Sequence, residues 1–432
     1  MALTNKLTAI ADAIREKTSK TELLTLDQMA EEIAGIQAGG GTSVAEKDVN
    51  FYDYDGTVLY AYTVEEAQAL NEMPALPERE GLICQGWNWS LEDIKAHNRA
   101  VNVGAMYITD DGKTRVYITL TEGRTSPMLG VGINGTVTVD WGDGTEPDVV
   151  EGYSIQKLFF TPTHEYANSG DYVISLTVDG EMGFYGSSSG AEGVGILRYS
   201  SNGDDRNYAY RAAVQKIETG EGVTSIGRYA FYCCHGLTSI TIPNSVTSIN
   251  ADAFSNCHGL TSITIPNGVT SINDYTFYGC YALTSVSIPN SVTSIGSYGR
   301  AFYSCYNLTN VSIPNSVTSI GSNAFYDCYA LTSIFIPNGV TSIKDSTFDC
   351  CRSLTSVSIP NSVTSIGSSA FSGCGGLGQC DFTNHTAVPT LSSSMSFYSI
   401  PTDCKIYVPA ALYDEWIAAT NWSSLASQIV AV

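Results

Sequence analysis

Seven near-identical segments fill residues 223–382. Each reads V-T-S-I-x-x-x-[AT]-F-x-x-C-x-x-L-x-x-[IV]-x-I-P-N-[SG], opening at Val223, Val246, Val269, Val292, Val317, Val340 and Val363. The period is 23, except where Ser297–Arg300 absorbs two further residues. A unit this short cannot bury its own apolar face, whereas copies stacked at a fixed period share one continuous core; the stretch must therefore fold as a solenoid. Within a coil, Leu237, Ile240 and Ile242 end at Pro243-Asn244, which predicts a strand closed by a proline-led turn. Val246–Ile249 predicts a second short strand, and Ala253-Phe254-x-x-Cys257 a tight helical turn that drops Phe and Cys inward.

At 432 residues the chain exceeds one compact core and divides into several domains. Its formal charge of −22 is unevenly placed: residues 1–222 carry 34 acidic and 16 basic side chains, the repeats only 6 and 4. Phosphate binding needs clustered Lys and Arg, so nucleic acid is excluded as a partner, and an anionic membrane surface on the same ground. Met1–Lys20 lacks a basic stretch followed by an apolar one, and no apolar run reaches membrane-spanning length, which predicts synthesis in the bacterial cytoplasm without a signal peptide. Seven of the 12 cysteines occupy one repeat position, from Cys234 to Cys374. Cysteine behaves as a small hydrophobe, so this is a ladder of inward thiols rather than a disulfide framework or a zinc site built on close C-x-x-C pairs. In the adjacent pairs Cys233-Cys234 and Cys350-Cys351, one member points out.

Ahead of the repeats the period changes. Leu7, Ile10 and Ile14, then Leu26, Met29, Ile33 and Ile36, mark two short amphipathic helices that bury little alone and call for a partner or copies of themselves. A hairpin is predicted at Asp55-Gly56, helices over Thr63–Asn71 with a Thr63/Glu66 capping box and over Ser90–Asn98, and a second hairpin at Asp111-Gly112. Alternating strands over 135–145 and 170–178 predict a small β-sandwich. After the repeats, Lys405–Pro409 reads as the final strand and Ala410–Ala419 as a helix, with Trp416 and Trp422 as apolar lids on the open edge.

Several motifs imitate catalytic ones. Asp53-x-Asp55-Gly56-Thr57 matches the nucleophile motif of haloacid-dehalogenase-type phosphatases, but a plain Asp-Gly turn explains it, and the nearest acidic pair, Asp110-Asp111, sits in another turn. Gly186–Gly190 fits G-x-S-x-G without the strand and helix a nucleophile elbow needs. His235 and His258 share one repeat position and stack as neighbours, a solvated pair before a metal site. Asp140 and Asp143 suit turn chemistry as well as Ca²⁺. No catalytic residue, metal ligand or cofactor is assigned.

Comparing the coils with one another separates scaffold from surface. The positions that vary lie ahead of each Phe and around each Cys, and they favour Tyr, His, Asn, Asp, Ser and Arg. Tyrosine adds contact area at low entropic cost, the palette of adaptable binding surfaces. The candidate ligand-binding residues are Tyr232, His235, His258, Tyr278, Tyr281, Tyr303, Tyr306, Tyr326, Tyr329 and Arg352.

The repeat resembles the BspA-like class of leucine-rich repeat in its I-P-x-x-V-x-x-I-x-x-x-A-F-x-x-C-x-x-L pattern, which implies a non-enzymatic scaffold for adhesion and recognition. V-D-W-G-D-G-T with H-x-Y-x-x-x-G-x-Y resembles a PKD-type sandwich, apart from a long insertion over 146–162. L-T-A-I-A-D-A-I-R-E-K-T, L-T-L-D-Q-M-A-E-E-I-A-G-I and F-Y-D-Y-D-G-T-V-L-Y-A-Y resemble segments of phage and prophage tail-fibre proteins. The resulting expectation is a mainly β chain: a helical attachment segment (1–38), a small α+β module (47–113), a PKD-like β-sandwich (114–182), a linker (183–222), a seven-coil solenoid (223–382) and a cap (383–432). The resemblances imply a phage or prophage tail-associated receptor-binding protein, located in the virion, with a bacterial surface adhesin as the alternative and an enzyme, a phosphatase or glycan hydrolase, as the third reading. Its partners would be a bacterial surface glycan or protein receptor, other tail proteins through the N-terminus, and copies of itself, a homotrimer among them.

Overall fold

Val49 and Phe51 alternate with Asn50 and Tyr52, so β1 (Val49–Tyr52) buries one face. A computed structural model describes residues 48–97, 100–154, 162–186, 196–198, 210 and 212–432; the helices expected over 2–36 lie outside these. β1 pairs antiparallel with β2 (Val58–Tyr62) across the expected Asp55-Gly56 turn, where Gly56 takes a φ of 89°. Its other edge is parallel to a later strand, β4 (Val101–Thr109), and β3 (Leu82–Trp87) closes the sheet in the order β2-β1-β4-β3. Helix α1 (Val64–Gln68) opens with the predicted capping box, and Ser90 caps α2 (Leu91–Ala96). Both helices are shorter than the sequence suggests, because each buries a single residue, Ala67 and Ile94, and packing supports little more than one turn.

The Asp111-Gly112 turn does not close a hairpin, contrary to the sequence expectation. β4 pairs with β1 over Val101–Gly104 and with β3 over Ala105–Thr109, whereas β5 (Thr114–Leu120) leaves the module and joins another sheet. There β7 (Val131–Asp140), β8 (Asp148–Ser154) and β9 (Gly170–Phe184) join it in the order β5-β9-β7-β8, each antiparallel to its neighbour, while β6 (Met128–Leu129) pairs with β10 (Leu197–Arg198). The 15-residue β9 pairs with β5 over its first half and, at Met182–Phe184, with β12 (Val223–Ile226), the first strand of the repeats. β5 likewise pairs with β11 (Val214–Glu218), whose other edge takes β13 (Ser239–Ile240). Thus β5 and β9 cover the edges that the first coil would otherwise leave open. One buried apolar cluster runs unbroken from Val116 to Ile429.

Each coil contributes two short parallel strands, as where Ser262–Thr264 pairs with Ser285–Ser287 and Ser271–Ile272 with Ser294–Ile295. The repeated Val, Phe, Cys and Leu side chains are buried throughout. Phenyl rings from Phe184 to Phe397 stack in one file, with neighbouring centroids 5.1–5.6 Å apart. Each ladder thiol from Cys257 onward donates to the Phe carbonyl of the coil before, as Cys257 to Phe231 at 3.0 Å and Cys305 to Phe277 at 3.1 Å. Burial pushes the Cys280 thiol up to about 12, so the ladder stays protonated and uncharged.

The predicted helical turn has a more particular form. Its residues alternate between right-handed conformations and two left-handed columns, Tyr229, Asp252, Tyr275, Arg300, Asn323, Ser346 and Ser369 (φ 51–62°) and Cys233, Asn256, Ser304, Asp327 and Cys350 (φ 57–61°). Alternate amides therefore close local turns, such as Cys234 to the Phe231 carbonyl at 3.0 Å, while the others reach the next coil, such as Phe231 to Ala253 at 2.7 Å and Asn256 to Tyr278 at 2.6 Å. The turn face is a third intercoil ladder that satisfies backbone groups which a free helical turn would leave open.

At the far end Trp416 and Trp422 are buried, as expected of lids. Lys405–Val408 is not the final strand, however: Ile429–Ala431 pairs on its outer edge. The expected helix is divided into a 3-10 turn, Ala410–Leu412, and a helix, Tyr413–Ala418.

The α+β module is docked against the coils. Asn88 donates to the Ile265 carbonyl at 3.0 Å, Trp89 Nε1 to Ile288 at 3.0 Å, and Asn290 to Asp93 at 2.7 Å. Ser262, Ser285, Ser287 and Ser312 beneath it are 3–8% exposed, while Ser333 and Ser358 in later coils are exposed.

Candidate functional site

The position just after each ladder cysteine has no role in the core, and its side chain points outward. The coil repeat places these residues one above another: His235 on His258 (4.3 Å between centroids), His258 on Tyr281 (4.3 Å), Tyr281 on Tyr306 (4.8 Å) and Tyr306 on Tyr329 (4.9 Å), with interplanar angles falling from 25° to 3°. The guanidinium of Arg352 closes this file, 4.5 Å from the Tyr329 ring centroid. Three residues earlier in each coil runs a second file: Tyr278 on Tyr303 (5.0 Å) and Tyr303 on Tyr326 (4.6 Å), within 16° of parallel. Tyr232 shares this position but stands apart, because Ser255 occupies the intervening coil; its ring meets Tyr229 edge-on at 5.6 Å.

Nine of the ten residues singled out in the sequence thus fall into two stacked files, half-buried, with Tyr281 and Arg352 exposed. Stacking has a chemical consequence. Faces of the rings inside a file are covered by their neighbours, so a ligand meets rims and phenol oxygens rather than open aromatic faces. These oxygens are protonated donors: burial raises Tyr303 and Tyr281, and burial with the nearby Asp327 and Asp349 carboxylates raises Tyr326 to about 12. Tyr275 and Arg300 join the second file although they are not among the ten. The Arg300 guanidinium lies 5.5 Å and 5.7 Å from the Tyr275 and Tyr303 ring centroids and donates to the Tyr275 hydroxyl at 3.0 Å. The signal for both was their place among the variable positions ahead of each Phe, where Tyr275 and Arg300 share the left-handed column.

A family model for the BspA type leucine-rich repeat region matches residues 204–299 and 298–410, in six copies. The solenoid is a BspA-type leucine-rich repeat. Similar solved structures include a leucine-rich-repeat protein of T. pallidum (31% identity, covering 43% of this chain and 78% of that one, TM-score 0.33). Others are a leucine-rich cell surface protein of Faecalibacterium prausnitzii (27%, 54% and 86%, TM-score 0.30) and a leucine-rich-repeat protein of Bacteroides ovatus (22%, 59% and 81%, TM-score 0.31). No protein of curated function matches the chain.

Outside the files of the BspA-type coils, the remaining motifs have structural occupations. Asp53 is buried and its carboxylate accepts from Arg79 Nε at 2.7 Å, while Asp55 caps the turn through the Thr57 amide at 2.9 Å. Asp140 accepts from the Gly142 amide at 2.9 Å; Asp143 accepts from Thr145 and meets His164 at 2.7 Å. His164 in turn stacks on Trp141 at 5.0 Å, and Tyr166 donates to the Trp141 carbonyl at 2.8 Å. Of the G-x-S-x-G match, residues 187–190 lie outside those described. Among the described residues no group of three or more His, Cys, Asp or Glu is placed to hold a metal ion, and no helix is long and apolar enough to cross a membrane.

Proposed function

We propose that this chain is a non-enzymatic recognition protein whose BspA-type solenoid binds a bacterial cell-surface glycan or protein through the rims of the two aromatic files. The observation that carries this reading is the files themselves. Five stacked rings and one guanidinium, then three further rings, occupy positions that the scaffold does not need, and their register is set by the rigid core beneath. A preorganised row of donors loses little entropy on binding.

The finer placement is a phage or prophage tail, with residues 1–38 as the attachment and oligomerisation segment. It is supported by the resemblance of the N-terminal sequences to tail-fibre segments. A bacterial surface adhesin is the second reading, supported by the repeat family. Finding the intact chain in purified virions, or on cells that release none, distinguishes them.

The recognition reading is tested by binding the full chain to whole bacterial cells and to a glycan panel, beside Tyr303→Phe and Tyr306→Phe. These variants keep the stack and remove the donors. Attachment weakened about five- to tenfold is expected if each hydroxyl makes one bond to the ligand. Undiminished attachment would place recognition elsewhere.

A further inference from the structure

We infer a second binding site, for a short uncharged saccharide, in the cleft where β9 meets the first coil. It does not rest on the aromatic files. The cleft is about 670 Å³, the size of a small-molecule site, and is lined by Glu181, Tyr185, Thr224, Ser225, Arg228 and Asn250 among others. Its distinguishing feature is at the floor: the hydroxyl oxygens of Thr224 and Ser225 are buried and have no hydrogen-bond partner among the described residues, and Ser225 as a whole is 5% exposed.

The cause is the end of the repeat. In three of the six later coils the equivalent threonine hydroxyl donates to the same residue's carbonyl one coil back, Thr293 to Thr270 at 3.2 Å, Thr318 to Thr293 at 3.4 Å and Thr364 to Thr341 at 3.3 Å. Thr224 belongs to the first coil and has β9 before it, which supplies no such carbonyl. Gly183 leaves room for the Ser225 hydroxyl, since a Cβ there would lie 2.4 Å from Ser225 Oγ, and Gly227 leaves room for the Tyr185 ring, 2.2 Å from its would-be Cβ. A hydroxyl held dry and unpaired is costly, and a ligand that both gives and accepts hydrogen bonds removes that cost.

The walls choose the ligand class. Arg228 is paired with Asp252 at 3.3 Å, while among the described residues the Glu181 carboxylate accepts only from the neutral Asn134 amide, at 3.4 Å, and its negative charge disfavours anions. A carboxylate, an amide, two free hydroxyls and an aromatic ring together match the vicinal hydroxyls and apolar face of a neutral sugar.

The test is saturation-transfer NMR on the full chain with glucose, N-acetylglucosamine, cellobiose and diacetylchitobiose, and with glucuronic acid as the charged control. At least one neutral sugar is expected to bind below about 10 mM, with Thr224→Val and Asn250→Ala weakening it at least about fivefold. Thr224→Val should melt no lower than the parent, because the oxygen it removes has no partner in the fold. Tyr303→Phe should bind the sugar as the parent does, which separates this site from the aromatic files. Absence of binding by all four neutral sugars, preference for glucuronic acid, or equal binding by a folded Thr224→Val overturns the assignment.

Discussion

His258 lies between the rings of His235 and Tyr281, with its Nε2 buried and unpartnered. Burial, and then the neighbouring His235, hold its pKa below the ordinary 6.5. The unfolded chain therefore binds a proton more readily than the folded one. The stability this neutral ring contributes is present above about pH 6.5 and is lost as pH falls below it. His385, also lowered by burial, acts in the same sense. His258→Tyr continues the tyrosine file upward and removes one titrating group. Its melting temperature should fall less than the parent's between about pH 7.5 and about pH 5, with the His385 share remaining. Identical acid slopes in the two proteins would show that His258 does not titrate against the fold.

Scale up to the coil, and the turn face carries the unusual conformations. Left-handed φ costs a residue with a Cβ roughly 1–2 kcal/mol, yet the first column contains no glycine. The intercoil bonds of that face hold it in place. Ser369 (φ 55°) stands in the last repeat with no side-chain bond to lose, so Ser369→Gly should raise stability by about 0.5–1 kcal/mol, read as a higher urea midpoint at unchanged slope. A lower midpoint would mean that the serine side chain supports the turn. This column also marks where the sequence ceases to be legible. Val, Ile, Phe, Cys and Leu announce the coil because they recur at fixed spacing and their burial is obligatory. Tyr229, Asp252 and Arg300 share a conformation and no chemistry, so the third ladder leaves no residue signature. The aromatic positions were legible as variable and outward. Their stacking was legible only at His235 and His258; the length of the two files was not, because it depends on coil spacing and on which rings follow one another at each position.

Over the whole molecule, the arrangement hardest to foresee is the docking of the α+β module, because the serines it covers at 262 and 285 are the same repeat residue that lies exposed at 333. The recognising side chains belong to the module instead. Asn88 is fully buried, donates to the Ile265 and Ser287 carbonyls at 3.0 and 3.3 Å, and accepts from the Gly104 amide at 2.7 Å and the Ser287 hydroxyl at 2.9 Å. Thr264 packs against Gly104, where any Cβ would lie 2.1 Å from its hydroxyl oxygen. The module reads one place on the solenoid, and it leaves the files from His235 to Arg352 half-buried or exposed. Asn88→Ala removes all four bonds and strands the Ile265 carbonyl and the Gly104 amide in a dry interface, while the Ser287 carbonyl keeps the Ile265 amide and the Ser287 hydroxyl keeps the Asn102 carbonyl; the cost is about 3 kcal/mol. Hydrogen exchange should then quicken at 285–288 and 310–313 while staying unchanged at 356–366, which lie two coils beyond the Ser312 bond to Ala100. Uniform loss of protection along the solenoid would instead show that the module is needed for the coils to stand. Unchanged protection everywhere would show that docking does not depend on Asn88.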